Sequence, residues 1–478
     1  MCMCVAGILM LPGCERYRAQ PLDAASTVLS ADRARAFIDD SAAGAAEQPA
    51  SSPPPFTFAR AAALMRDRSP VLKDARAEYS TAQALAAVKT PLPNPALEAG
   101  PRYGFGADVL THRFQPFGAL GFAIPTGQRL KRQDELNQVN AEVAYIEVMA
   151  RYRELYMQLR RQYSRLALGQ LRLSARQSIA AAAAASLALT RKAQEAGHAN
   201  AVDVVLFEQD DGRLQSAVLD ARVEIAATQN ELAQLIGVSA NQFAGMPENS
   251  LPPLPVIPAR DALIQFMIEN HPDLARIRAR YEAAERALHL ELAKQYPDFR
   301  IGPTADGDVG DRKTTLGLTL GIDLPIFDRN QQGIAAAKAK RDEIKIKFES
   351  AAARALSELD RAISTYALSE EKSKLVKDVL LPRAQSGIEL SRKAFDQGAT
   401  DVFRFLEAER AHRSIQIDAL DTEISIRGAF IDLEQAVGCP LVMFPTESSD
   451  VEPPTLTISA AAGAEPFPAE SAEKESKQ

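Results

Sequence analysis

The chain contains two copies of one helical pattern, and this duplication limits the folds that it can adopt. Two glycine-containing segments, residues 194–208 and 396–409, interrupt long runs of helical periodicity. Their glycines, Gly197 and Gly398, are 201 residues apart. Because glycine adopts a left-handed turn at little steric cost, each segment predicts the end of one long helix and the start of a return helix. The 478 residues are therefore predicted to form two copies of one unit rather than about three independent domains.

The return helices carry apolar residues at heptad spacing, with successive positions four and three residues apart. This stripe covers residues 214–235 in the first copy and residues 415–436 in the second. Each return helix is predicted to end at a further glycine, Gly237 or Gly438, and these are again 201 residues apart. Alanine and threonine are frequent in the stripe, so we expect long helices that approach each other closely.

A pair of β-strands is predicted between the opening helices and the long helix of each copy. In residues 316–324, apolar side chains alternate with Gly, Thr and Asp, which is the period of a strand with one apolar face. The same alternation occurs at residues 97–105, 120–124 and 299–305. Pro125 and Pro325 follow the second strand of each pair, where a missing amide donor ends the ladder.

Four strands with one apolar face impose a condition on the assembly. They are too few to close a barrel, and an open sheet edge is not stable against lipid. Spanning barrels need about eight strands or more, so three copies of the chain would meet the requirement. The alternative is a soluble antiparallel sheet that covers the helices. The low aromatic content of 6%, without Trp, argues against strong aromatic girdles and so favours this alternative.

The N-terminus resembles a bacterial lipoprotein signal. Residues 1–14 form an apolar run that ends in Leu-Pro-Gly-Cys, which predicts a signal peptide over residues 1–13 and lipidation of Cys14. Pro12 and the lack of a preceding Lys or Arg depart from the usual pattern. An ordinary export signal with an incidental cysteine is the alternative. Residues 14–57 are then a lipidated N-terminal segment and linker.

The order of opening helices, strand pair, long helix, glycine turn and return helix resembles that of the outer-membrane efflux proteins of the TolC type. The stretches AGHANAVDVVLFE and QGATDVFRFLEAER, with NELAQLIG and FIDLEQAVG, carry the resemblance over roughly residues 58–440. It implies a mainly α homotrimer with long helical hairpins, in which four β-strands per chain contribute to a shared 12-stranded transmembrane β-barrel. The units predicted within it are a first repeat at 58–247, a linker at 248–258, a second repeat at 259–444 and a disordered tail at 445–478.

The resemblance also implies a function: an outer-membrane channel, extending into the periplasm, that passively conducts substrates exported by an inner-membrane pump through a periplasmic adaptor. The adaptor would dock at the two glycine turns. The residues implied there are Gly197, His198, Ala199, Asn200 and Asp203, and Gly398, Ala399, Thr400 and Asp401.

Family members often close the pore with acidic residues six and nine positions after the second glycine. This chain has Arg404 and Glu407 there, so cation binding at the constriction is in doubt. We hypothesise that Arg404 pairs with Glu407 or Asp203 and keeps the resting tip closed. The alternative is an ordinary solvated pair that contributes little.

Other chemistry finds little support in the sequence. The five His residues are scattered without metal-ligand spacing, and the segment ADGDVGD lacks the glutamate that completes a calcium loop. Nothing pairs a nucleophile with a base, so we expect neither an enzyme nor a bound cofactor. A formal charge of −7 argues against nucleic acid as a partner.

The alternative function is a periplasmic coiled-coil scaffold or adaptor without a pore, although an adaptor would have one hairpin and no tandem duplication.

Overall fold

The structure is a computed structural model that describes residues 23–36, 57–104, 113–197, 200–240, 253–308, 313–400 and 402–442. Several predicted features lie outside these ranges: the Cys14 lipid site, the 445–478 tail, and the tip residues His198, Ala199 and Asp401. A short helix α1 (Ala24–Ala36) precedes the two repeats.

The two repeats have the same order of elements, which confirms the predicted duplication. The first consists of α2 (Phe58–Arg68), α3 (Pro70–Ala87), β1 (Ala96–Gly104), β2 (Arg113–Ile124), α4 (Arg129–Glu195) and α5 (Ala201–Ile236). The second consists of α6 (Arg260–Asn270), α7 (Pro272–Ala293), β3 (Phe299–Asp308), β4 (Lys313–Ile322), α8 (Gln331–Leu375), a π-helical turn (Val376–Leu380), α9 (Leu381–Asp396) and α10 (Val402–Val437). With 67 residues, α4 is about 100 Å long at 1.5 Å per residue.

The return helices end at the predicted glycines. Gly237 and Gly438 both have φ of +84°, in the left-handed region. A Cβ atom on Gly237 would lie 2.7 Å from the Arg68 carbonyl oxygen, and one on Gly438 would lie 2.8 Å from the His271 Cα. Each helix therefore ends against the elbow between the two opening helices of its own repeat.

The four strands form one antiparallel sheet in the order β1-β2-β3-β4. Pairing of β2 with β3 joins the two repeats, and β1 and β4 are the edges. β2 ends directly before Pro125 as predicted, but β4 ends at Ile322 rather than Leu324. The reason is that β3 begins at Phe299, which pairs with Ile322, so the residues beyond Ile322 have no partner on β3.

Each repeat has its own helical core, and a buried ion pair links the two. In the first repeat, the cluster includes Phe58, Met65, Tyr156, Tyr163 and Leu232. Arg160 of α4 reaches the second repeat, where its guanidinium donates to Glu434 Oε1 at 3.0 Å and to the Val442 carbonyl oxygen at 2.6 Å. Burial raises the pKa of the Glu434 carboxyl, and Arg160 opposes that shift.

The second long helix is not a regular α-helix throughout. This helix contains Pro382, and a π-helical turn ends two residues before it, at Leu380. In that turn the Leu381 N–H donates to the Val376 carbonyl, five residues back. Proline has no N–H and its ring crowds the carbonyl four residues earlier, so a wider turn relieves the clash without ending the helix. Across the described residues, the helices lack the combination of length and apolar character that a membrane span requires.

Candidate functional site

The first tip is the turn between α4 and α5. Gly197 has φ of +78°, and its N–H donates to the Gln194 carbonyl at 2.9 Å. Asn200 then caps α5: its side-chain oxygen accepts from the Asp203 N–H at 2.9 Å, while the Asp203 carboxylate accepts from the Asn200 N–H at 3.1 Å. This reciprocal capping box satisfies two amide groups at the helix start. The predicted helix break therefore has a fixed geometry.

The second tip is the turn between α9 and α10. Gly398 has φ of +67°, and the Ala399 N–H donates to the Ala394 carbonyl at 2.8 Å, which is the longer bond of a Schellman turn. A Cβ atom at Gly197 or Gly398 would meet nothing within 4 Å. Both glycines are therefore required by the backbone conformation and not by packing, and both turns are open to a partner.

An apolar cluster joins the two hairpins next to the tips. Leu187 of α4, Val204 and Phe207 of α5, and Leu406 of α10 are all buried together. Phe395 of α9 and Phe405 of α10 stack with ring centroids 5.3 Å apart. The two tips therefore form one structural unit.

A layer of charged residues lies further along the same helices. Asp210 of α5 forms ion pairs with Arg410 at 3.4 Å and with Arg413 at 3.8 Å, and both arginines are on α10. The Ser186 hydroxyl of α4 donates its single proton to the Glu409 carboxylate, whose two oxygens lie 3.0 and 2.9 Å from Ser186 Oγ. These contacts tie the first hairpin to the second, and heptad spacing alone did not reveal them.

The predicted gate residues lie nearer the tip than this charged layer. Arg404 and Glu407 are exposed on the first turns of α10. The Asp203 carboxylate, the other predicted partner of Arg404, is engaged in the Asn200 capping box. Arg410 and Arg413, on the next turns of the same helix, make the cross-hairpin ion pairs to Asp210. The sequence signal for them was a run of Arg and Glu from 404 to 413.

A second candidate surface is the apolar face of the sheet at the edge strand β4. Leu316, Leu318 and Leu320 of β4 are 79%, 72% and 71% exposed. They alternate with Gly317 and Thr319, so one face of the strand is apolar and the other is small or polar. Three strands contain 9, 10 and 10 residues, within the roughly 9–11 residues of a membrane-spanning strand, and β2 is one residue longer, with 12.

The described residues do not bring metal ligands together. Within those ranges, no group of three or more His, Cys, Asp or Glu side chains is placed to hold a metal ion. Asp306 and Asp308 of the ADGDVGD segment instead make contacts across strands, to Arg102 at 3.2 Å and to Gln115 at 3.2 Å.

Comparison with known proteins agrees with this architecture. Residues 263–439 match the family model described as outer membrane efflux protein. The cobalt-zinc-cadmium resistance protein CzcC of Cupriavidus metallidurans is 25% identical over 215 residues, which are 45% of this chain and 51% of CzcC. The outer membrane protein OprJ of Pseudomonas aeruginosa is 24% identical over 319 residues, 62% of each chain. The chain thus spans between half and two thirds of the length of these relatives.

Solved structures show the same fold. The outer-membrane channel OprN superposes with a TM-score of 0.65 at 18% identity, covering 80% of this chain and 90% of OprN. The outer membrane protein VceC of Vibrio cholerae superposes with a TM-score of 0.62 at 15% identity, covering 80% of this chain and 96% of VceC. The predicted fold class, mainly helical with four antiparallel strands, is thereby confirmed.

Proposed function

We propose that this chain, which has the fold of the outer membrane efflux proteins and their sequence pattern in residues 263–439, is the outer-membrane channel of a tripartite efflux system. Three copies would form a ring that conducts substrates passively from the periplasm to the exterior. An inner-membrane pump would supply the substrates through a periplasmic adaptor. The family is one of transport proteins, and the proposed role requires no catalytic step.

The observation that carries this proposal is the open sheet with one exposed apolar face. Among the described strands, β1 and β4 are the two edges of the sheet, and Leu316, Leu318 and Leu320 project from one face of β4 itself. Lipid tolerates neither unpaired edges nor an incomplete barrel. Pairing β4 of one copy with β1 of the next, in a ring of three, removes every edge and turns the apolar face to lipid.

We place adaptor docking at the two glycine turns. Hydrogen bonds fix the backbone of both turns, and open space surrounds each glycine. A preformed docking surface requires both properties. Exposed Val202 and Phe403, one on the first turn of each return helix, add apolar surface beside the turns. Lipidation of Cys14 would anchor the same chain to the outer membrane.

We also propose that charged residues on α10 hold the resting tip closed. Arg404 and Glu407 are the proposed gate. On the next turns of α10, Arg410 and Arg413 pair with Asp210 of α5, and these ion pairs would help to hold the two hairpins together. Replacing Arg404 by Ala is expected to raise single-channel conductance in planar bilayers, because it removes the cation proposed to hold the hairpins together. The exposed Arg392 of α9 provides a matched control, and its alanine variant should conduct like the wild type. Unchanged conductance in the Arg404 variant would exclude it from the gate.

Negative-stain electron microscopy of the processed protein in detergent tests the whole proposal. The expected particle is a threefold tube well over 100 Å long, since α4 alone is about 100 Å, with a detergent belt at one end. Conductance in planar bilayers would then establish the pore.

The same experiment decides the alternative. A compact, monomeric particle that is soluble without detergent would support a periplasmic coiled-coil scaffold in place of the channel. The exposed apolar face of β4 argues against that outcome, because contiguous exposed apolar surface is unfavourable in water.

A further inference from the structure

The turn after β4 presents two large apolar side chains that the described part of its own chain leaves uncovered. Ile326 is 62% exposed and Phe327 is 91% exposed. The turn itself is fixed, because Asn330 adopts a left-handed conformation and its side chain donates to Glu291, at 2.9 Å to the carbonyl and 2.7 Å to the carboxylate. Phe327 therefore projects from an anchored loop.

The equivalent turn in the first repeat shows what such a loop packs against. After β2, the Thr126 hydroxyl donates to the Pro297 carbonyl, and the Thr126 N–H donates to Asp298 at 3.4 Å. Gly127 lies so close to the same segment that a Cβ atom there would be 2.7 Å from the Tyr296 ring. The turn after β2 thus rests on the segment that leads into β3, its neighbour in the sheet.

For the turn after β4, the same relationship requires a second copy. β4 is a sheet edge, and the opposite edge is β1. The segment that leads into β1, residues 88–95, is the counterpart of the segment before β3, and Pro95 and Pro297 are 202 residues apart. Its apolar side chains Val88 and Leu92 are 67% and 66% exposed.

This lead-in segment is also anchored to its own chain. The Thr90 N–H and hydroxyl both donate to Asp134 Oδ1, at 2.7 and 2.6 Å, which ties the segment to α4. Those hydrogen bonds lower the pKa of the Asp134 carboxyl. The segment and the β4 turn are therefore both preorganised, so that their contact would cost little conformational entropy.

Side-chain sizes are complementary at the two junctions. Within the chain, the small Gly127 faces the large Tyr296. Between copies, the large Phe327 of the longer turn after β4 would meet a segment that has the smaller Asn94 at the position of Tyr296, 202 residues later. Exposed Lys89 and Asp328 add opposite charges to the two surfaces.

We propose that the Ile326–Phe327 turn of one copy packs on residues 88–95 of the adjacent copy, forming an inter-subunit contact immediately below the barrel. This inference rests on the proposed function, since it requires a closed ring of copies. The proposal assigns the exposed turn to a second copy of this chain. Within one chain, the turn after β2 of the first repeat already makes the equivalent contact with the segment before β3 of the second repeat.

Cysteine cross-linking in the full chain tests the contact. In a Cys439→Ser background, Leu92→Cys and Phe327→Cys are combined, and a second variant combines Val88→Cys with Phe327→Cys. Disulfides need Cα atoms about 4.4–6.8 Å apart, so mild oxidation and a short bifunctional thiol reagent are both applied. We expect covalent dimers and closed trimers on non-reducing denaturing gels. Each single-cysteine variant, and the pair of Leu92→Cys with the outward-facing Leu318→Cys, should stay monomeric on the same gels.

Two results would overturn the contact while leaving the channel intact. The first is threefold particles in the electron microscope with no cross-link for either Phe327 pair. The second is quenching of a fluorophore at position 327 by lipids brominated on their acyl chains, which would place the turn in the membrane. A monomeric protein would overturn both the contact and the channel.

Discussion

Four glycines with positive φ end helices, and they occupy two different surroundings. Gly197 and Gly398 lie at the open tips, where an added Cβ atom meets nothing within 4 Å. Gly237 and Gly438 lie against the opening helices, where an added Cβ atom would be 2.7 and 2.8 Å from backbone atoms. All four share the conformational preference for glycine, but only the second pair also prevents a clash.

Alanine substitution is therefore expected to separate these pairs. At Gly197 and Gly398 the cost should be about 1–2 kcal/mol, which is the penalty for a side chain in the left-handed region. At Gly237 and Gly438 the backbone must also move, so the loss should be larger by about 1–3 kcal/mol. Denaturant unfolding followed by circular dichroism measures the order. Equal losses at all four positions would show that the elbow contacts do not restrict the backbone.

His271, at the elbow between α6 and α7, should make stability depend on pH. Burial lowers the pKa of this imidazole, an effect that the neighbouring Arg276 reinforces and that Asp273, Glu358 and Glu154 oppose. Because its pKa is lower in the folded state than the unfolded value of about 6.5, its stabilising contribution is complete above that pH and is lost as the pH falls below it. The melting temperature of the wild type should therefore fall between pH 7 and pH 5.

A glutamine at position 271 removes this titration and should flatten that part of the pH dependence. His289 supplies the matched control, because it is exposed on α7 in the same repeat. The His289→Gln variant should keep the pH profile of the wild type. If His271→Gln also kept that profile, the titrating group would lie elsewhere.

At the scale of the elements, α4 and α10 are joined by the buried Arg160–Glu434 pair. The two side chains are 3% and 1% exposed, and Glu434 Oε1 also accepts the Leu441 N–H at 2.7 Å. Replacing Glu434 by Gln leaves a buried guanidinium without its counter-charge, so we expect a loss of about 3–5 kcal/mol in unfolding free energy. Arg160→Met should cost a similar amount.

The double variant is the informative measurement for this pair. Combining Arg160→Met with Glu434→Gln removes both charges, so its loss should be clearly smaller than the sum of the two single losses. Additive losses in denaturant unfolding would mean that the pair does not couple the helices. The result would then assign the connection between repeats to β2–β3 pairing and apolar packing.

The elements differ in how far the sequence predicts them. Gly197, Gly237, Gly398 and Gly438 mark helix ends because backbone conformation at these points is a local property. The charged layer around Asp210 was not predicted, because heptad spacing does not define which faces of two separate hairpins meet. The early end of β4 was missed for the same reason: strand length depends on where the partner strand begins.

The whole molecule is a duplicated unit whose two halves are joined through a sheet that a single chain leaves open. The apolar alternation of residues 316–324 predicted this sheet and its apolar face. The contact between the turn after β2 and the segment before β3 was not visible in the sequence, since it depends on side chains about 170 residues apart. That internal contact is what allows the surroundings of the turn after β4 to be inferred.

A matched pair of substitutions in β4 tests which side of the sheet faces lipid. Leu318 and Thr319 are adjacent in the middle of the strand and project from opposite faces. Arginine at position 318 would face the acyl chains and should cost about 2–4 kcal/mol, whereas arginine at position 319 would face the water-filled interior at little cost. We therefore expect Leu318→Arg to reduce the fraction of protein assembled in the outer membrane, measured by membrane fractionation and heat-modifiable gel mobility. Thr319→Arg should assemble normally. Equal assembly of the two variants would contradict a lipid-facing apolar surface and would favour a sheet that lies in water.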